Sequence, residues 1–204
     1  AALGITVERQ EVVGDNTERL AGLVREAKER CDLLVLTGGL GPTGDDLTKE
    51  TVAACFDDEL VLDEGELAKI KMYFECRSAM PHNNVKQAMV PKRGQKLPNS
   101  CGTAPGAVFV DGDRTAVLMP GVPSEMTAMF AQSVRPLLET LSGGAIVSTM
   151  LHVFGPGESA LEEMVGDLLS GANPTAALYA KSCEVEVRVT ARGATKAEAE
   201  ALRD

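Results

Sequence analysis

The stretch that decides the fold is residues 33–48, Leu-Leu-Val-Leu-Thr-Gly-Gly-Leu-Gly-Pro-Thr-Gly-Asp-Asp-Leu-Thr. Its first four residues form a short apolar run bounded by turn residues, which is typical of a strand buried on both faces of a parallel sheet. The glycines that follow allow a sharp turn and a close approach to a ligand. These are Gly38, Gly39, Gly41 and Gly44. Asp46 or Thr48 can cap the helix that comes next, so the stretch predicts an anion site, usually for phosphate.

Two known phosphate-binding motifs nearly fit this stretch. Residues 39–44 spell G-x-G-x-x-G, and Asp63 stands about where a dinucleotide fold places its ribose acid, although a lone glycine fingerprint often matches by accident. The same stretch has P-loop spacing up to the lysine, but this chain has Asp45 there, an anion where that motif needs a cation. Asp45 and Asp46 beside a phosphate loop indicate a divalent cation between carboxylate and phosphate oxygens. The alternative is that they only cap a helix.

Composition limits the partners and the compartment. The 204 residues can hold an ordinary domain plus a small one. A net charge of −10 and the lack of tryptophan argue against a nucleic-acid or anionic membrane partner, but leave small phosphorylated substrates open. Five scattered cysteines without a C-x-x-C pair argue against a disulfide framework. No run approaches the roughly 20 apolar residues that span a bilayer. We therefore predict a cytoplasmic protein with no nucleic-acid or membrane partner.

The first half of the chain predicts an α/β domain. Partial alternation over residues 5–13 predicts a strand, and the capping-box spacing of Asp15 and Glu18 predicts a helix over 16–30. Together with the strand ending at Thr37 these form a β-α-β unit, whose right-handed crossover would bring Asp15 and the glycine loop to one edge of the sheet. A lone turn aspartate is more often only a helix cap. Further helices are predicted over 48–55 and 64–77.

Two later segments are predicted to border the same edge. The long segment 81–106 ends in Asn-Ser-Cys-Gly-Thr-Ala-Pro-Gly, whose small polar residues and amides suit a ligand rim, with a plain loop as the alternative. The candidate rim residues are Asn99, Gly102 and Gly106. A hairpin at 107–119 then runs into a second strand-turn-helix junction. Its candidate binding residues are Pro120, Gly121, Pro123, Ser124 and Glu125, with Ser124 predicted to cap the helix.

The remaining sequence predicts a second, smaller unit. Residues 142–144 read as a linker, and strands at 146–154 and 185–189 with helices at 158–169 and 195–203 predict a small α+β domain. We therefore divide the chain into domains at 1–142 and 145–204. The run Gly155-Pro-Gly-Glu is not the G-x-x-G clamp of RNA-binding modules. At the other end, residues 1–4 read as the end of a helix with a glycine cap, so we expect a preceding segment.

The sequence resembles the N-terminal region of the CinA (competence/damage-inducible protein) family. The resemblance covers essentially the whole chain and is carried, in the right order, by the stretches 37–48, 99–106, 119–126 and 172–181. It implies a MogA/MoaB-like molybdopterin-binding domain, which is a three-layer α/β sandwich with a mostly parallel sheet. A small KH-like domain would follow, and the protein would be a homo-oligomer.

The resemblance also implies roles for individual residues. Asp46 matches the aspartate that the molybdopterin enzymes use in catalysis with a divalent metal, and Asp15 matches their other acidic position. The phosphate-facing loop is matched by Gly38, Gly39, Gly41 and Thr43, and the family's proline-glycine turn by residues 120–123. Family members begin with a strand and a Gly-Thr-Glu-Leu segment, and many continue into a nicotinamide-mononucleotide deamidase domain. This chain has neither, so we expect a missing N-terminal strand and no deamidase activity.

The leading functional hypothesis is metal-dependent hydrolysis of the pyrophosphate of ADP-ribose, the activity associated with such N-terminal regions, giving AMP and ribose 5-phosphate. Asp46 and Asp45 would be the catalytic residues and would bind a divalent metal ion, Mg²⁺ or similar. A non-catalytic pterin- or nucleotide-binding module is one alternative. Molybdopterin adenylylation in molybdenum-cofactor synthesis is another.

Overall fold

A computed structural model describes residues 3, 5–75, 79–141 and 144–204 of the chain. The chain divides into two compact units, Glu8–Pro136 and a second formed by Leu137–Asp204 with residues up to Val7. Within the described ranges, no helix is both long and apolar enough to cross a membrane. Most of the predicted helix end at 1–4, the end of the predicted helix 64–77 and most of the predicted linker lie outside the described residues.

The larger unit contains helices, short strands and connecting turns. Its helices are α1 (Thr17–Arg30), α2 (Thr48–Cys55), α3 (Glu64–Glu75) and α4 (Pro123–Met129), with α5 (Arg135–Leu141) beginning at its end. A 3-10 helix covers His82–Ala88 and a π-helical turn covers Phe130–Val134. Its strands are β1 (Leu33–Thr37), β2 (Leu60–Leu62), β3 (Met89–Pro91), β4 (Gln95–Leu97), β5 (Gly106–Asp111) and β6 (Arg114–Met119).

The main sheet has the order β1-β6-β5-β4, and β2 pairs separately with β3. β1 runs parallel to β6, with Thr37 opposite Met119, whereas β5 is antiparallel to both of its neighbours. The predicted strand at 33–37 and the predicted hairpin at 107–119 are therefore confirmed. The expected burial of β1 on both faces is wrong, because β1 is at the edge of the described sheet and Val35 is 48% exposed. Since β1 and β6 end side by side, the loops that follow them leave the sheet at the same place.

The sheet is covered on both faces. Phe109 and Leu118 point into a core that also contains buried residues of α1 and α2. On the other face Val108 and Val117 are buried, and Gly106 lies against the sulfur of Met129 from α4. This alternation along β5 and β6 is what a strand inside a three-layer α/β domain requires. The predicted α/β fold class is confirmed.

The predicted strand at 5–13 is wrong. The segment has no regular secondary structure, and Val7 and Val12 are 76% and 98% exposed. Among the described strands β1 pairs only with β6, so no strand supplies the partner that an extended segment needs. The predicted capping box is also wrong, because Asn16 is the N-cap of α1 and its side chain accepts from the Arg19 amide at 3.0 Å.

The smaller unit has an antiparallel sheet of order β7-β9-β8. Its elements are β7 (Ala145–Val153), α6 (Glu158–Leu169), β8 (Thr175–Ala180), β9 (Val185–Gly193) and α7 (Lys196–Arg203). Leu161 of α6 packs on Val185 and Val187. The predicted α+β unit is confirmed. Strand β8 was not predicted, because three of its six residues are alanine, which is depleted in strands.

Phe56 and Phe109 are both fully buried in the core between the sheet and α2, and their ring centroids lie 6.4 Å apart. We expect Phe109→Ala to lower the free energy of unfolding by about 3–5 kcal/mol, because a large cavity replaces the ring. The neighbouring Val110 is 53% exposed, so Val110→Ala should cost about 1 kcal/mol or less. Urea unfolding followed by circular dichroism measures both changes. Equal losses would contradict the position of Phe109 in the core.

Candidate functional site

The loops that follow β1 and β6 meet at one edge of the sheet. The Gly38 amide donates to the Met119 carbonyl at 3.0 Å, and Gly121 packs against the Cα of Gly38. Gly38 and Gly39 have φ angles of +94° and +69°, which residues with a side chain rarely adopt. The structure thus brings together the two glycine junctions that the sequence predicted to share an edge.

The glycine loop, residues 38–46, is attached directly to helix α2. The Thr48 amide donates to the Gly39 carbonyl at 3.2 Å, and the Thr48 side chain fills the space beside Gly39. The prediction that Asp46 or Thr48 caps α2 is wrong, since the N-cap is Leu47 and no side chain caps the helix. The Asp46 carboxylate is therefore engaged elsewhere.

Asp46 turns its carboxylate back onto the glycine loop. Its Oδ2 accepts from the amide of Thr43 at 2.9 Å and from the Thr43 hydroxyl at 2.6 Å. Burial alone would raise the pKa of Asp46, but the hydrogen bonds from Thr43 and Gly41 and the charge of Lys86 outweigh it and lower the pKa below its ordinary value. Asp46 is accordingly an ionised carboxylate at neutral pH, held in one orientation.

This arrangement redirects donors that the sequence assigned to phosphate. The amide of Thr43 was expected to face a ligand, but in this structure it donates to Asp46, as does the Thr43 hydroxyl. An alanine Cβ at Gly41 would lie 2.5 Å from Asp46 Oδ2, so the carboxylate can approach only a glycine. Both Thr43 bonds end on Oδ2. The anion bound by the glycine loop is therefore the chain's own Asp46 carboxylate.

Lys86 is a site residue that the sequence analysis missed. It lies in the 3-10 helix, and its Nζ donates to the carbonyls of Thr43, at 3.3 Å, and of Asp46. The same Nζ lies 3.4 Å from Oε1 of Glu50. Lys86 is about 40 residues away along the chain, in a segment without a recognised motif, so only the high content of polar residues in that segment could have drawn attention to it.

A second lysine is buried next to this cluster. Lys49 is 4% exposed, and its Nζ donates to the carbonyls of Gln87 at 3.2 Å and Met89 at 2.8 Å. Burial lowers the pKa of Lys49 to about 8, and the carboxylate of Glu50 opposes part of that decrease. These bonds attach α2, and with it the glycine loop, to the 3-10 helix and β3.

The predicted rim is organised by Asn99. Its Nδ2 donates to the Ala104 carbonyl at 2.9 Å and to Glu125 Oε2 at 2.6 Å. Its Oδ1 accepts from the amides of Cys101 at 3.0 Å and Gly102 at 2.9 Å. The loop over residues 99–104 is therefore closed on itself and tied to α4, and three predicted residues, Asn99, Gly102 and Glu125, form one cluster.

Other predicted residues have structural positions. Gly106 and Pro120 are buried, the first where β5 approaches α4. Pro123 is the first residue of α4. The prediction that Ser124 caps this helix is wrong, because Val122 has the extended N-cap conformation and Ser124 lies exposed in the first turn. Proline at the first helical position is favoured because its missing N–H would have no partner there.

Three predicted acids lie outside these hydrogen-bonded clusters. Asp15 and Asp45 are both exposed, and within the described part of the chain no hydrogen bond or ion pair joins Asp15 to the glycine loop. Asp63, the residue of the dinucleotide alternative, accepts from the Glu66 amide at 2.9 Å and from Lys96 Nζ at 2.6 Å. Asp63 therefore stabilises the start of α3, which explains its position without a nucleotide.

The smaller unit has two features of its own. His152, Glu184 and Glu186 bring their ligand atoms within 4.8 Å of one another, but Lys181 lies 3.7 Å from Glu186, so the cluster is also an ion-pair network. A cavity of about 900 Å³ lies beside the sheet, and none of the predicted site residues lines it. The lining includes Ile146, Asn173, Thr175, Arg188, Thr190 and Glu198.

Comparisons with known proteins match both units. The family described as "Probable molybdopterin binding domain" matches residues 1–140, and "Damage-inducible protein CinA KH domain" matches 148–204. A CinA-like protein of Dictyoglomus thermophilum is 48% identical over 204 residues, which is 99% of this chain and 50% of that protein. A Clostridium beijerinckii protein, provisionally named competence-damage inducible, is 45% identical over 98% of this chain and 49% of its own length.

The chain thus spans about half the length of the curated relatives it matches. Among solved structures, the crystal structure of CinA from Thermoplasma acidophilum, described as a protein of unknown function, is 36% identical. It superposes with a TM-score of 0.59 over 66% of this chain and 80% of that one. Sequence and structure comparisons therefore lead to the same relatives.

Gly41 and Gly44 form a matched pair for testing the loop. We expect Gly41→Ala to lower the free energy of unfolding by about 1–3 kcal/mol, because the new methyl group displaces the Asp46 carboxylate from its donors. Gly44→Ala should have little effect, since no atom lies within 4 Å of its added Cβ. Urea unfolding at pH 7 compares the two variants. Equal stability of the two would contradict the contact between Gly41 and Asp46.

The hydrogen bond from the Thr43 hydroxyl predicts how the protein responds to pH. We expect Thr43→Val to raise the pKa of Asp46 toward its ordinary value of 3.8, whereas Thr127→Val, on the exposed side of α4, should not. Because the folded-state pKa is lowered, Asp46 stabilises the protein above pH 3.8 and loses that contribution as pH falls through the folded pKa. NMR titration of the Asp46 carboxyl carbon measures the shift. An unchanged pKa would contradict the role of the hydroxyl.

Proposed function

The chain belongs to the family of probable molybdopterin binding domains, followed by a CinA KH domain as in the N-terminal region of CinA, and we propose that it hydrolyses the pyrophosphate of ADP-ribose or a similar nucleoside-diphosphate sugar. One observation carries this proposal. An ionised carboxylate, Asp46, is fixed on a glycine loop at the point where two strand-end junctions meet. Ligands of open α/β sheets bind at such edges, beyond the carboxyl ends of the strands.

The fixed charge of Asp46 restricts how a diphosphate can bind. A phosphate group at the loop would face a carboxylate that already accepts from the amide and the hydroxyl of Thr43. The substrate phosphate and the Asp46 carboxylate are both anions, and in contact they repel each other unless a cation lies between them. In the proposed site, a cation therefore joins the substrate to Asp46.

The residues present fit a hard divalent cation such as Mg²⁺. Asp46 is ionised, both bonds from Thr43 end on its Oδ2, and the adjacent Asp45 is an exposed carboxylate. Carboxylate oxygens are the ligands that Mg²⁺ prefers in proteins. When bound, such an ion would polarise the pyrophosphate and lower the pKa of the attacking water. Asp46 and Asp45 are the residues that would hold it.

The chain's own residues would also orient the substrate. Asn99 holds Glu125 in place next to the loop that follows β6, because its own donors and acceptor are all used within the chain. The Glu125 carboxylate would then accept from a sugar hydroxyl. Water would add to one phosphorus and the bridging P–O bond would break, which gives AMP and ribose 5-phosphate. The substrate is a small nucleotide, and neither a nucleic acid nor a membrane takes part.

Turnover of ADP-ribose in the presence of Mg²⁺, with AMP and ribose 5-phosphate separated by chromatography, tests the proposal. We expect Asp46→Asn to reduce turnover by about 100-fold or more, because it removes the charge that holds the cation. Asp45→Asn should reduce it less, since that exposed side chain is not fixed. Asp113→Asn is the matched control, because Asp113 is exposed in the hairpin turn at the other end of β6.

The alternatives predict different results. Unchanged turnover in Asp46→Asn would overturn the assignment of Asp46. Binding of ADP-ribose in calorimetry without any turnover by the unmodified chain would show a non-catalytic nucleotide-binding module. Consumption of ATP with molybdopterin, and no action on ADP-ribose, would show adenylylation instead.

A further inference from the structure

We propose that Lys86 is a positioning residue, whose ammonium group holds the glycine loop from outside and so fixes the direction in which Asp46 presents its carboxylate. This inference rests on the proposed function for the importance of Asp46, and extends it to a residue that no motif identifies. Lys86 acts through the loop and not by contact with the reacting phosphate.

The contacts of Lys86 bracket one turn of the loop. Its Nζ donates to the carbonyl of Thr43 and to that of Asp46, the first and last residues of a four-residue turn. The Asp46 amide donates to the Thr43 carbonyl at 3.3 Å, and Thr43 donates back to the Asp46 carboxylate. The turn is therefore closed by its own hydrogen bonds and bridged a second time by Lys86. A change in either carbonyl would reorient Asp46.

The 3-10 helix that carries Lys86 is held firmly by its neighbours. Two of its neighbours in the 3-10 helix, Asn84 and Gln87, are buried, and the Asn84 side chain donates to that of Gln87 at 2.9 Å. Lys49 is a buried residue of α2, the helix that follows the loop, and its Nζ donates to the carbonyls of Gln87 and Met89. The loop, α2, Lys49, the 3-10 helix and Lys86 thus form a closed ring of contacts. A ring of this kind can hold a loop in one conformation where a single flexible lysine could not.

Charge argues for a positioning role over direct phosphate binding. Glu50 Oε1 lies 3.4 Å from Lys86 Nζ, so a carboxylate already balances the ammonium group. Within the described residues, the other oxygen of Glu50 is buried and has no hydrogen-bond partner, and the ion pair of this carboxylate is with Lys86. A balanced pair attracts an anionic substrate weakly. What Lys86 supplies is the two hydrogen bonds to the loop.

The experiment compares Lys86→Met and Lys86→Arg with Lys92→Met, an exposed lysine that pairs with Glu59 at 2.7 Å. Amide hydrogen exchange of Thr43 and Asp46, read by NMR, reports the loop without any need for activity. We expect Lys86→Met to speed this exchange by about tenfold or more, Lys86→Arg to lie between it and the unmodified chain, and Lys92→Met to leave it unchanged. ADP-ribose kinetics should show kcat about tenfold lower in Lys86→Met, with KM within about twofold.

Several outcomes would overturn the inference. Unchanged loop exchange in Lys86→Met would do so, as would a raised KM at unchanged kcat, which would show that Lys86 binds the phosphate directly. If Lys86→Met does not fold, Glu50→Gln decides. If Lys86 is a positioning residue, the Thr43 and Asp46 amides of Glu50→Gln keep their protection from hydrogen exchange, and the KM for ADP-ribose does not fall. A lower KM in Glu50→Gln would show that Lys86 binds the substrate phosphate, because the variant leaves the lysine charge unbalanced. If the unmodified chain has no turnover, the proposed function fails, and loop exchange alone still tests the role of Lys86.

Discussion

The parallel pairing of β1 with β6 is the constraint on which the rest of the site depends. It runs from Leu33 opposite Thr115 to Thr37 opposite Met119, and the bond from the Gly38 amide to the Met119 carbonyl extends it into the loop. Because both strands end at the same level, their two loops leave the sheet in contact. Gly121 has no side chain to separate it from the Cα of Gly38, and Gly38 allows the turn at a φ of +94°. The glycine loop and the start of α4 are therefore neighbours in one candidate site.

The glycine loop satisfies its own donors with an anion. In a simple phosphate loop the backbone amides are free to bind the ligand, but here the Thr43 amide donates to Asp46. Lys86 binds a carbonyl of the loop, and Lys49 binds the Met89 carbonyl and so attaches α2 to β3. In a chain with a net charge of −10, Lys86 places positive charge near Asp46. The loop is consequently preorganised, and in the proposed function a cation joins an anionic substrate to it.

Predictions from sequence succeeded where burial alone determined the structure. The runs that became β5 and β6 are apolar and largely buried on both faces, so their pattern was sufficient. The apolar run of β1 also became a strand, but its pattern did not reveal that Val35 would be 48% exposed. Segment 5–13 has strand-like alternation, but a strand also needs a partner, and none of the described strands provides one. The helix caps were displaced by one or two residues, from Asp15 to Asn16 and from Ser124 to Val122. A cap depends on the backbone angles of a single residue, which composition does not reveal.

The sequence by itself determined the glycine loop, the acid at its end and the hairpin that leads to the second junction, because each of these is encoded by adjacent residues. Only the tertiary structure decided which groups hold the loop. Lys86 reaches Asp46 across 40 residues, and Asn99 reaches Glu125 across 26. Contacts at such separations depend on how helices pack on the sheet. The sequence around a lysine or an asparagine in an irregular segment does not indicate which distant residue it will bind.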